Sequence, residues 1–112
     1  PAVNAEAKEV SLVKGDAIRY MGYSTHYYYV DGNLAFCLEP DMKSPGNGAY
    51  SASELDPRSH LSKAMYYMYG GPGYEQYIKS SLTGGWGEDD NAYCLTHCVM
   101  TAVIRTVQRL RA

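Results

Sequence analysis

Two side chains able to carry covalent chemistry lie sixty positions apart in this chain, a thiol at Cys37 and an imidazole at His97. Cys37 lies near the end of a β-rich run and stands three residues before Pro40. The end of a strand is a place where a reactive atom is often exposed. An imidazole beside a thiol lowers the thiol pKa and prepares it for acyl transfer. The two residue types therefore predict a site in which Cys37 is the reactive thiol and His97 is the base that faces it.

The neighbours of His97 leave other interpretations open. Cys94, Cys98 and Thr101 share its helix face by the i, i+3, i+4 rule. Together with Cys37 and His97, the two cysteines would complete a Cys3His zinc site. A disulfide from Cys37 to either one would be purely structural. The plainest alternative is a buried, inert cysteine and an ordinary core histidine. We expect no metal ion and no cofactor.

Two further residues are candidates for binding. Glu39 is a loop carboxylate two positions after Cys37, and it could orient His97 as a third group. Trp86 lies among three glycines and is a candidate lid over the site. A solvated loop charge and a core plug are the structural alternatives for these two residues.

The first half of the chain reads as strands. Residues 25–30 and 33–38 are β-rich runs that flank Asp31-Gly32, the pattern of a hairpin. Residues 10–14 and 17–23 predict two earlier strands, separated by Gly15-Asp16. Residues 41–59 are rich in Pro, Gly, Ser and Asn and predict a long loop.

The second half reads as helices. Residues 61–69 have helical spacing, with Ser59 or Ser53 as the cap and Gly70-Gly71-Pro72 as the stop. Residues 74–82 predict another short helix. A long helix is predicted over 92–109, capped from 89–91, with 95, 99, 102/103 and 106 as its packing face. The fold class predicted is α+β: antiparallel hairpins in the N-terminal half packed against helices in the C-terminal half, with residues 1–112 forming one domain.

Composition excludes some classes of partner. The net charge is −2 and the ten basic residues are scattered, so nucleic acid is not an expected partner. No apolar run approaches the roughly 20 residues of a membrane span, so we expect no membrane insertion. Twelve tyrosines suit either a thin core or an adhesive surface. The chain begins at Pro1 without Met, and we expect a processed or excised piece.

Three motifs, taken in order, resemble the thioester domains of Gram-positive surface adhesins. They are Phe-Cys-Leu-Glu-Pro at 36–40, Ala-Met-Tyr-Tyr-Met-Tyr-Gly-Gly-Pro-Gly at 64–73, and Leu-Thr-His at 95–97. In that family an aromatic-Cys-apolar-acidic motif follows a hairpin, a helix ends in Gly-Gly, and a Thr-Gln pair opens a late helix. The resemblance spans roughly residues 25–104.

The resemblance implies a specific chemistry and also a departure from it. In the family, a Cys and a Gln side chain condense with loss of ammonia into an internal thioester, which a host amine then attacks. The Cys carries over onto Cys37. The Gln position, directly after Thr96, holds His97. An imidazole has no acyl group to give, and neither Gln76 nor Gln108 follows a threonine, so no ordinary thioester is expected.

The resemblance also implies a biological setting. We expect a secreted adhesion module, attached to the cell surface or cell wall through other parts of its parent protein, and a host or extracellular protein as its partner. This chain would be a short or truncated form of the module. Two alternatives come from other classes: a Cys-His acyltransferase or peptidase, recognised by turnover, and a zinc-stapled interaction module, recognised by metal analysis.

Overall fold

A computed structural model of the protein describes residues 8–38 and 43–111, with the side chains of 106–111 left aside. Four strands precede two α-helices: β1 Lys8–Tyr20, β2 Tyr23–Val30, β3 Asn33–Ala35, β4 Gly48–Ala52, α1 His60–Tyr67 and α2 Asp89–Arg111. A π-helical turn over Tyr74–Ile78 and a 3-10 turn over Lys79–Ser81 lie between the helices. The α+β class predicted from the sequence is confirmed.

The strands form one antiparallel sheet in the order β3-β2-β1-β4. The predicted hairpin at Asp31-Gly32 is confirmed, but its second strand was predicted too long, since it ends at Ala35 instead of residue 38. Both turn residues have positive φ, 50° and 82°. Such angles characterise the type I′ turn, whose twist matches that of the strands. A second turn of this kind, Met21-Gly22 with φ of 51° and 82°, joins β1 to β2. The sequence did not reveal that turn, because methionine carries no turn signal.

The prediction of two strands before Tyr23 was wrong, since one long strand occupies this region. The pairing register shifts between Lys14 and Ala17, so Gly15 and Asp16 form an irregularity inside β1 rather than its end. Gly15 also lies close to β2, where an added Cβ would stand 3.2 Å from the main-chain oxygen of Tyr27. A glycine that looked like a strand terminator instead permits a close approach of two strands.

The long loop predicted over 41–59 was wrong in part, because its middle is β4. This strand pairs antiparallel with β1 from Lys8↔Ala52 to Leu12↔Gly48. Apart from Tyr50 its side chains are small, and all but one of its residues are exposed, so it carries no hydrophobic alternation. Backbone pairing to the edge of β1 makes it a strand, and composition alone does not reveal such pairing.

The helical segments lie where the sequence predicts them, but their types and bounds differ from the prediction. Ser59 caps α1, and its hydroxyl accepts a hydrogen bond from the Ser62 N–H at 3.1 Å. The short helix predicted over 74–82 was wrong in type, since the chain makes a π-helical turn and a 3-10 turn there. The long helix begins at Asp89 instead of residue 92, so the expected capping residues lie in its first turn. Within the described part of the chain, no helix is both long and apolar enough to cross a membrane.

The packing face predicted for the long helix was wrong. Leu95 and Val99 are only half-buried and Ala102 is exposed. The buried residues of α2 are Ala92, Tyr93, Cys94, Thr96, His97 and Met100. The sheet presents aromatic rings to the helix, and Tyr27 stacks on Tyr93 with ring centroids 4.4 Å apart. Ring-on-ring packing therefore selects the Tyr93–His97 face over the aliphatic one.

The Gly-Gly stop after α1 yields a testable prediction. A Cβ at Gly71 would lie within 3.0 Å of the main-chain oxygens of Met65 and Tyr66. Gly71→Ala is expected to lower the free energy of unfolding by about 1–3 kcal/mol, because main-chain atoms must shift to admit it. Gly46→Ala is the control, since a Cβ there meets nothing within 4 Å. Equal urea midpoints for the two variants would contradict the packing described.

Candidate functional site

The hydroxyl of Tyr93 lies between β2 and β3. The two-residue turn makes Val30 and Asn33 a hydrogen-bonded pair, so by antiparallel alternation Tyr28 and Ala35 form the next such pair. The Tyr93 hydroxyl accepts a hydrogen bond from the Tyr28 N–H at 3.1 Å and donates one to the Ala35 carbonyl. A side chain from α2 therefore bridges the two strands at their last rung.

Immediately after this bridge the chain leaves the sheet. β3 ends at Ala35, and residues 36–38 follow without strand structure. Phe36 stacks on the Tyr93 ring at 4.8 Å, which directs the chain along α2. The Cys37 carbonyl then accepts a hydrogen bond from Nδ1 of His97 at 2.9 Å. The structure therefore brings the backbone of Cys37 and the ring of His97 into direct contact.

The ring of His97 is enclosed in an aromatic pocket. Its exposed fraction is 0%. The rings of Tyr93, Phe36 and Tyr23 surround it at centroid distances of 4.7, 5.2 and 6.2 Å. Removal from water disfavours the charged imidazolium and lowers the pKa of His97 to about 4, although the bond to the Cys37 carbonyl opposes that shift. His97 is therefore neutral at neutral pH.

The hydrogen bond to Cys37 also fixes the tautomer of His97. A carbonyl oxygen only accepts hydrogen bonds, so Nδ1 carries the proton and Nε2 holds the lone pair. Nε2 is buried and has no hydrogen-bond partner among the described residues. This nitrogen can accept a proton or a hydrogen bond. The neutral ring offers no positive charge to a thiolate.

Thr96, next to His97, joins the two helices. Its hydroxyl donates to the Ala92 carbonyl at 2.8 Å and accepts from the Tyr69 N–H at 3.2 Å. The side chain is fully buried. The Thr-His pair thus has two separate functions, since Thr96 anchors the segment after α1 and His97 anchors the segment after β3.

Cys37 lines a cleft of about 450 Å³ beside the β1–β2 hairpin. Tyr28 forms one wall, and its hydroxyl is hydrogen-bonded to Ser44, which also lines the cleft. Tyr23 forms another wall, and burial raises its pKa to about 12, with a smaller contribution from Cys98 and the other two thiols. Cys37 itself is half-buried.

The other two cysteines do not complete a second kind of site. All three lie in the described part of the chain, and none is joined in a disulfide. Cys94 is buried, which raises the pKa of its thiol, whereas Cys98 is exposed. Among the described residues, no three side chains of His, Cys, Asp or Glu lie close enough to hold a metal ion. The four side chains of the zinc hypothesis therefore do not come together.

Of the two predicted binding residues, Trp86 alone lies in the described part of the chain. Glu39 lies outside the described residues. Trp86 packs edge-on against Tyr20 with ring centroids 4.7 Å apart, and it is not among the described residues that line the cleft. The roles suggested for Glu39 and Trp86 remain predictions.

Sequence reasoning missed Tyr93, the residue that positions the site. Its only signal was its spacing, four residues before His97 and hence on the same helix face. Nothing in the sequence shows that its hydroxyl would enter a strand ladder fifty-eight positions away.

The Tyr93 bridge can be tested by removing one oxygen atom. Tyr93→Phe takes away the acceptor of Tyr28 N–H and the donor to Ala35, and we expect unfolding to become easier by about 1–3 kcal/mol. Tyr29→Phe serves as the control, because Tyr29 is an exposed residue of β2, the strand that contains Tyr28. The amide of Tyr28 should also exchange faster in Tyr93→Phe alone. Unchanged exchange at that amide would refute the bridge.

The buried imidazole predicts a pH dependence of stability. The pKa of His97 is about 4 in the folded protein and near 6.5 in the unfolded chain. Between these values the unfolded state binds more protons, so stability is full above pH 6.5 and falls by roughly 2–3 kcal/mol as the pH drops towards 4. His97→Gln should lack this part of the slope in urea unfolding at several pH values. An identical slope in both proteins would mean that His97 titrates normally.

Comparison with known proteins supports the resemblance first seen in the motifs. A family model described as thioester domain matches residues 9–106, which include β1, the site and most of α2. No curated protein and no solved structure gives a significant match. Since the match covers nearly the whole chain and includes both Cys37 and His97, the chain belongs to the thioester domain family.

Proposed function

We propose that this chain is an adhesion module of a bacterial cell surface, with Cys37 as its reactive thiol and His97 in the place of the thioester glutamine. One observation carries the proposal: Nδ1 of His97 donates to the carbonyl of Cys37 at 2.9 Å, beside the cleft that Cys37 lines. The residue after Thr96 therefore contacts the backbone of the family cysteine, which makes the two positions neighbours in the fold.

The chemistry at this pair differs from that of the family. Thioester formation needs a side-chain amide from which the thiol displaces ammonia, and imidazole has no such group. Gln76, in the π-helical turn, is exposed and does not line the described part of the cleft. The side chain of Gln108 lies outside the described set. Cys37 is accordingly proposed to keep its thiol.

A Cys-His acyltransferase or peptidase is the second candidate, and the electrostatics of the site argue against it. Such enzymes activate the thiol as a thiolate beside a cationic partner. With a pKa of about 4, His97 supplies no cation near neutral pH. Its Nδ1 is also occupied by the Cys37 carbonyl and is not available to a thiol. A single binding event fits this geometry better than repeated turnover.

The proposed partner is a host or extracellular protein, and the proposed location is the cell surface or cell wall, reached through other parts of the parent protein. Membership of the thioester domain family supports this setting. The surface supports it as well: Tyr66, Tyr67 and Tyr77 are exposed by 45%, 43% and 54% and contact one another through their rings. Exposed tyrosines are enriched where proteins bind proteins.

The absence of the thioester can be tested by intact mass. The purified protein is expected to have the full mass of its sequence and to take up three alkyl groups after denaturation, because no acyl donor is joined to Cys37. His97→Gln is the matched variant, and we expect it to lose one ammonia and one alkylation site. A wild-type mass lower by one ammonia would contradict the proposal and identify a glutamine partner elsewhere.

Kinetic measurements distinguish the proposed adhesion module from the enzyme alternative. With peptide thioesters or p-nitrophenyl esters as substrates, the adhesion module should release at most one product per protein chain. Many turnovers per chain, abolished by Cys37→Ala, would favour the acyltransferase or peptidase instead.

A further inference from the structure

Among the described residues, part of strand β2 pairs on one side only. β3 pairs with β2 only at residues 28–30, and the chain then leaves the sheet. Along residues 23–27, β2 is paired with β1 alone among the described strands. Within the described part of the chain, the sheet therefore has an open edge at residues 23–27, and Cys37 lines the same cleft as Ser24 and His26.

The pairing register shows which backbone groups face this opening. Val30 and Tyr28 direct their N–H and C=O groups towards β3, and alternation assigns the same direction to His26 and Ser24. Opposite them in β1, Ala17 and Arg19 occupy the non-hydrogen-bonded pairs. No backbone partner of Ser24 or His26 on this side is present among the described residues. The two rungs are roughly 7 Å apart along the strand.

The cleft beside Cys37 lies at this open edge. Ser24, Thr25 and His26 line it together with Cys37, and its volume is about 450 Å³. Natural sheet edges are usually protected by a charge, a proline or a bulge. Residues 23–27 are Tyr-Ser-Thr-His-Tyr and contain no Pro, Lys, Asp or Glu. Residues 23–27 therefore lack a proline or charged side chain that would hinder pairing with an added strand.

The charge of the cleft points to the kind of strand. Arg19 lines it, is exposed, and forms no ion pair with a described residue. No Asp or Glu is among the described lining residues. A segment with an acidic side chain would complement Arg19, whereas a basic segment would be repelled.

We propose that an extended, acidic polypeptide segment binds here as an added strand, hydrogen-bonded to the backbone of Ser24 and His26 and paired with Arg19. Such strand addition gives affinity through the main chain and selectivity through alternate side chains. The inference deepens the proposed function by naming the chemistry of the target. It does not depend on the reactivity of Cys37, because all the binding groups belong to β1 and β2.

The probe is a library of random nine-residue peptides with one fixed central Glu, selected against immobilised Cys37→Ala protein. That background excludes covalent capture. Enriched peptides should slow amide exchange at Ser24 and His26 and should slow alkylation of Cys37 in the wild-type protein. Failure to enrich any peptide, or enrichment without protection of these two amides, would overturn the proposal.

A matched pair of variants tests the backbone contact. His26→Pro removes the N–H that faces the cleft, and His26→Ala removes only the side chain. Enriched peptides are expected to bind His26→Pro about tenfold more weakly, and His26→Ala within about twofold of the parent. Arg19→Ala should weaken binding severalfold, and Arg58→Ala, at an exposed loop site, should not. Equal affinity for both His26 variants would refute strand addition.

Methylating the peptide provides a test that leaves the protein untouched, which matters if His26→Pro fails to fold. Peptides with N-methyl groups at alternate positions should lose binding when the methylated amides face β2. They should keep binding when the methylated amides face away from β2. Equal loss of binding with both methylation patterns would overturn the pairing.

Dimerisation of the protein without peptide, reversed by His26→Pro in light scattering, would assign the edge to a second copy of the chain and also overturn the proposal. If peptides bind as expected but the wild-type mass lacks an ammonia, only the chemistry proposed for Cys37 fails.

Discussion

The hydrogen bonds of the Tyr93 hydroxyl determine where the chain after β3 goes. A direct rung between Tyr28 and Ala35 would let β3 continue beside β2. With a phenol oxygen from α2 bridging that rung, the strand stops and Phe36 stacks on the same ring. The carbonyl of Cys37 then meets His97, one helical turn further along. The end of β3 and the approach of the Cys37 segment to α2 both involve this single side chain.

Under the proposed function, His97 stands in the place of the family glutamine and holds the Cys37 segment without acyl chemistry. A glutamine and a histidine can both donate a hydrogen bond to a backbone carbonyl, so either side chain can hold the Cys37 segment. The aromatic pocket accepts a ring, and its exclusion of water keeps that ring neutral. Structural anchoring and acyl transfer are therefore separable properties of this position.

The tyrosines lie in two different environments. Tyr28, Tyr74 and Tyr93 are buried, and the core depends on rings where a larger domain would use aliphatic side chains. Tyr66 and Tyr77 are exposed at the surface. The sequence left open whether its tyrosines served a thin core or an adhesive surface, and the fold places some in the core and others at the surface. A phenol suits both places because its ring packs while its hydroxyl can be hydrogen-bonded, as those of Tyr28 and Tyr93 are.

Local signals in the sequence determined the hairpin at Asp31-Gly32, the cap at Ser59, the α+β class and the family motifs. Each depends on a few neighbouring residues, so each could be read without the fold. The tertiary structure decided that Gly15 lies within a strand, that β4 exists, and that α2 buries its Tyr93–His97 face. It also brought a hydroxyl from α2 into the β2–β3 ladder. These outcomes depend on contacts between residues distant in sequence, and no local propensity encodes such contacts.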